Sequence, residues 1–148
     1  MNASSASQAR QTVPALRLWR TSAILMWVIA AGFGLPAVPV AVYLLRRGQL
    51  PWFLDLFPMY GGPVDAWAGP TAYAFLIMLF GGLTLAEAAI GLLLWRATRA
   101  GAILSLALLP LEIAFWAAFA LPFPPMFAAV RLTLTLWAWG RTRGHAAL

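Results

Sequence analysis

Four long apolar stretches, at about residues 21–45, 71–95, 100–121 and 126–139, leave this chain very few folds. Of its 148 residues, 63% are hydrophobic and 9% are charged, whereas a soluble domain carries about 25% charged residues. A surface facing water could not be covered. The first run alone, at 1.5 Å rise per residue, reaches about 37 Å, enough to cross roughly 30 Å of hydrocarbon with some tilt. The sequence therefore predicts an all-α integral membrane protein: a four-helix transmembrane bundle over residues 16–148, preceded by a disordered, small and polar tail over 1–15. A cleaved signal peptide is the alternative for the first run, but signal cores span only about 7–15 residues.

The net charge of +6 comes from ten arginines and no lysine. They sit at the ends of the apolar runs, as membrane anchors do, so nucleic acid is not an expected partner. Arginine preference with abundant Ala, Leu, Gly and Pro suggests a bacterial source. Four spans place both termini on one side with Arg10, Arg17, Arg20, Arg96, Arg99, Arg141 and Arg143, and leave Arg46 and Arg47 on the other. Positive charge collects on the cytoplasmic side. The expected location is the bacterial inner membrane, multi-pass, with both termini cytoplasmic.

Absences narrow the chemistry. Without cysteine there is no disulfide, thiolate metal site, iron–sulfur cluster or redox pair. The single histidine, His145, cannot build a multi-histidine site. No Ser/His/Asp set or phosphate-cradling loop is present. Neither a cofactor nor an enzymatic activity is expected.

The connection over 48–69 is apolar and broken by Pro51, Pro58, Gly61, Gly62 and Pro63, which predicts an interfacial outer segment between the first two spans. It carries Tyr60 and two acids, Asp55 and Asp65. Paired carboxylates there could chelate a divalent cation, although acids in an irregular loop are more commonly just solvated. Gly32, Gly34, Pro36 and Pro39 predict a kink in the second half of the first span.

Three charges fall inside the apolar runs: Glu87, Glu112 and Arg131. Counted from Arg96, Arg99 and Arg141, they lie roughly 13, 20 and 15 Å deep. Charges cost about 2.5–3.5 kcal/mol at the centre of a membrane helix, so residues of this kind face a bundle interior. They form the expected buried cluster and the candidate ligand or ion site. Arg131 can hold one carboxylate through a forked pair. A Glu112–Arg131 brace between the last two helices is the simplest reading. It leaves Glu87 neutral, or bonded to Thr84 on its own helix. Trp116, one turn from Glu112 with Phe115 and Phe119 beside it, either fills the core or lines a pocket for a lipid tail or quinone. Gly82 and Ala86 form a small-xxx-small ridge for close helix packing. Trp19, Trp52, Trp67, Trp95, Trp137 and Trp139 read as an aromatic belt at the two interfaces.

These residues point to a non-enzymatic accessory or scaffold subunit, or to a binder of an apolar ligand. The alternative is a small proton- or ion-coupled transporter acting as a homo-oligomer. Membrane lipids are expected partners in either case, together with further copies of the chain or the subunits of a larger membrane complex.

Overall fold

Proline and glycine set the helix boundaries in this computed structural model, which describes the backbone of residues 3–143 and the side chains of 15–141. Helix α1 (Ala3–Ile29) passes through a wide π-turn at Ala30–Gly34 into α2 (Ala37–Arg47). Pro36 and Pro39 have no N–H, and their rings crowd the carbonyls four residues back; the widened turn relieves that crowding. The expected kink takes this form. Gly48 ends α2 in the left-handed region at φ 69°, its N–H donating to the Leu44 carbonyl at 2.8 Å. Helix α3 (Pro70–Trp95) opens on a proline, which suits a first turn whose N–H groups lack helical partners. Helix α4 (Arg99–Ala118) is capped by Thr98, whose hydroxyl accepts from the Gly101 N–H at 3.1 Å. Helix α5 (Pro124–Arg143) begins within the proline-rich turn.

Three helical segments are long and apolar enough to cross a membrane: Ala15–Arg47, Pro70–Trp95 and Arg99–Ala118. Helix α5 matches α4 in length but is not among them, because Arg131, Thr133, Thr135 and Arg141 dilute its apolar character. The stretch expected as a disordered tail is described from Ala3 onward, and there it continues α1. Its alanines, glutamines and Arg10 are compatible with helix. His145 lies outside the described residues.

The helices pack in a ring: α1 on α3 and α5, α2 on α3, α3 on α4, and α4 on α5. Trp27 meets Gly91, Gly34 meets Thr84 and Ala37 meets Gly81, so α1–α2 and α3 run antiparallel. Each helix buries a stripe spaced by threes and fours. On α5 it is Ala128, Arg131, Thr135 and Ala138; on α1 it is Trp19, Ser22, Ala23, Met26 and Ile29.

Two hydrophobic clusters result. One surrounds Trp19, Met26, Ile90, Leu94 and Ala138 near the arginine-rich end. The other surrounds Tyr60, Tyr73, Phe80, Trp116 and Phe119 near the opposite end. Trp19 therefore belongs to the core, at 3% exposure, rather than to the expected belt. The other five belt tryptophans are exposed or half-buried.

The connection between α2 and α3 contains a short antiparallel hairpin, β1 (Trp52–Phe53) and β2 (Phe57–Pro58), pairing Trp52 with Pro58 and Phe53 with Phe57. Tyr60 follows and plugs the end of the bundle. Its hydroxyl donates to the Phe33 carbonyl in the π-turn, and its own carbonyl accepts from the Tyr73 hydroxyl. Its ring meets Phe80 and Phe119 edge-on, with centroids 6.0 and 5.6 Å away. Burial pushes the Tyr60 phenol's pKa up, keeping it a neutral donor.

The small-residue ridge is placed differently from expectation. Gly82 and Ala86 face outward, and nothing approaches a Cβ built at Gly82. The close approaches on this helix are at Gly91, where a Cβ would lie 2.6 Å from Trp27 Nε1, and at Gly81, 3.1 Å from Ala37 Cβ. The buried stripe Tyr73, Ile77, Phe80, Thr84, Glu87, Leu94 fixes which face turns inward, and Gly82 lies off it.

Candidate functional site

Between the two hydrophobic clusters lies a set of buried polar side chains drawn from four of the five helices: Ser22 on α1, Thr84 and Glu87 on α3, Ser105 and Glu112 on α4, and Arg131 and Thr135 on α5. Each sits on its helix's inward stripe, so the placement follows from the same spacing that buries the apolar residues.

Arg131 and Glu112 form a forked pair. Nη1 donates to Oε1 at 3.0 Å and Nη2 to Oε2 at 2.6 Å, with the side chains 2% and 0% exposed. The tight turn between α4 and α5 makes the two helices neighbours, and the planar guanidinium matches both carboxylate oxygens. Desolvating two charges is costly; the forked geometry offsets most of that cost but brings little net stability over an apolar pair. What it supplies is register, since no other residue pair holds α4 against α5 in the same way among the described residues.

Glu87 is fully buried with its carboxyl group against that of Glu112, and its oxygens accept no hydrogen bond from a donor group among the described residues. The charges acting on it are those of Glu112 and Arg131. The structure thus brings all three predicted charges into one layer. The Thr84 hydroxyl does not serve Glu87: it donates to the Gly81 carbonyl at 2.7 Å, one turn back along its own helix.

Sequence reasoning missed the polar contact on the other side of Arg131. Thr135, one turn away, donates to the Ser22 hydroxyl at 3.3 Å, joining α5 to α1, and both residues are fully buried. Arg131 and Thr135 share the i, i+4 spacing of one helix face, which could have shown Thr135 to face inward but not its partner on α1.

Trp116 is 4% exposed, and its indole Nε1 is buried without an acceptor. It lines a cavity of about 440 Å³ between α4 and α5, whose other walls include Leu109, Ile113, Leu121, Pro125 and Leu132. The lining is apolar and suits a hydrocarbon body. Glu87, Glu112 and Arg131 line neither this cavity nor those beside α1 and beneath the hairpin. Asp55 lies between the hairpin strands and Asp65 in a later turn, both exposed. No group of three or more potential metal ligands occurs among the described residues. Compared with protein families, curated proteins and solved structures, the chain matched none.

Proposed function

We propose that this chain is a non-enzymatic bacterial inner-membrane protein that binds an apolar ligand, a lipid or a quinone, in the cleft between α4 and α5, and so serves as an accessory subunit rather than a catalyst. The apolar cleft of about 440 Å³ between the two helices, with Trp116 in its wall, carries the proposal. Membrane insertion rests on the three long apolar segments. A fourth crossing by α5 is supported by its 20 residues, about 30 Å of helix, and by the burial and pairing of its one mid-helix charge. The exposed Trp52, Leu54, Leu56 and Trp67 suit an outer segment lying among headgroups. Both termini are cytoplasmic in this reading, and the cleft would be completed by lipid, a further copy of the chain or another subunit.

Native mass spectrometry of the detergent-extracted protein tests the reading. A stoichiometric apolar adduct should be present in the wild type and lost in Ala129→Leu, which fills the cleft from an exposed position. Wild-type protein without an adduct would oppose it.

Proton- or ion-coupled transport by a homo-oligomer is a second reading, favoured by the fully buried Glu87 carboxyl beside that of Glu112. Intramembrane acids of this kind serve proton relays. Proton-dependent flux in liposomes, abolished by Glu87→Gln, would support it.

A further inference from the structure

We infer that the outer face formed by α1 and α3 is a binding site for one anionic phospholipid, with its headgroup at the arginine-rich end and an acyl chain along the groove between the helices. This site is separate from the α4–α5 cleft and shares with it only the membrane setting.

The headgroup end is a cluster of exposed guanidinium groups: Arg17 and Arg20 on α1, and Arg96 and Arg99 flanking the tight turn from α3 to α4. Arg20 lies over the Trp95 ring, 5.0 Å from its centroid, which brings the α1 arginines to those of α3. The chain has four acidic residues, and none can neutralise this cluster. Asp55 and Asp65 lie in the connection beyond the opposite ends of α2 and α3, while Glu87 and Glu112 are buried. Arginines free of acidic side chains at a membrane surface attract anionic headgroups.

The groove begins directly beneath. Trp27 stacks obliquely on Trp95 with centroids 5.5 Å apart, and its Nε1 donates to the Ala88 carbonyl at 3.0 Å, fixing the indole at the groove's upper end. From there a cavity of about 660 Å³ follows the π-turn towards Val38. It exists because Ala30, Ala31, Gly34, Gly81 and Gly82 present almost no side chain to it. Trp27 to Val38 spans roughly 16 Å of helix, about one leaflet of a ~30 Å hydrocarbon core. An acyl chain fits along the groove. A second copy of this chain in the same orientation would bring arginine against arginine.

The test uses the full chain in detergent with equal amounts of dioleoylphosphatidylglycerol and dioleoylphosphatidylcholine, which share acyl chains and differ in headgroup charge. Native mass spectrometry should find the anionic lipid retained at least fivefold over the zwitterionic one. Arg20→Gln with Arg96→Gln should bring that ratio close to one, whereas Arg46→Gln with Arg47→Gln at the opposite end should leave it unchanged. If the first pair fails to fold, Arg17→Gln with Arg99→Gln reads the same ratio. Gly82→Leu, whose new side chain meets open space, should lower retention of both lipids severalfold. Equal retention in the wild type overturns the proposal. So does an equal loss of preference on changing Arg46 and Arg47, or retention indifferent to Gly82→Leu. A neutral ligand in the α4–α5 cleft has its own mass and should be insensitive to Gly82→Leu, so the two proposals fail independently.

Discussion

Arg131 holds Glu112 through two parallel hydrogen bonds of 3.0 and 2.6 Å, and this pair sets the register of α5 on α4 inside the bundle. Removing one partner strands a buried charge, at a cost of about 3–5 kcal/mol; removing both leaves none. Arg131→Met should therefore destabilise the protein more than Arg131→Met combined with Glu112→Gln. Thermal unfolding in detergent measures this. A double variant that loses as much as the two single variants added together would mean the pair is not coupled.

Glu87 should tolerate replacement by its neutral isostere. The side chain is fully buried and its oxygens accept no hydrogen bond, so Glu87→Gln preserves shape and charge state if the acid is neutral in the fold. Unfolding temperature should change little. A loss of several kcal/mol would mean that Glu87 is ionised and paired, and that the brace has a third member.

Glycines on α3 and the π-turn should separate sharply. A methyl at Gly34 would lie 2.2 Å from Thr84 Oγ1, so Gly34→Ala must shift the π-turn or α3 and should cost about 1–3 kcal/mol. Gly82→Ala meets nothing and replaces a poor helix former, so it should be neutral or stabilising by up to about 1 kcal/mol. Equal effects at the two positions would contradict the packing described.

Reporter fusions should place the C-terminus in the cytoplasm and the Tyr60 segment outside, given seven arginines against two at the two ends. An external C-terminus would rule out the fourth crossing by α5.

The polar layer was legible in the sequence because charges inside apolar runs are costly enough to have one tolerable location, and counting residues from the flanking arginines gave similar depths for Glu87, Glu112 and Arg131. The Glu112–Arg131 pairing followed from sequential helices joined by a short turn. What could not be read were features set by rotation about each helix axis. Gly82 and Ala86 look like a packing ridge in one dimension, but the stripe through Tyr73, Phe80 and Glu87 turns them outward. Tyr60 was legible only as a loop aromatic, since its insertion depends on a carbonyl that the π-turn leaves available at Phe33. The Ser22–Thr135 contact joins residues 113 positions apart, and small hydroxyl side chains give no hint of such a partner.

Titrating the purified protein with decylubiquinone, followed by native mass spectrometry, tests the proposed ligand site most directly. The account predicts saturable one-to-one binding, weakened by Trp116→Phe, which trims the cleft's wall, and abolished by Ala129→Leu. Binding that is non-saturable, or is unchanged in both variants, would contradict an apolar-ligand site between α4 and α5.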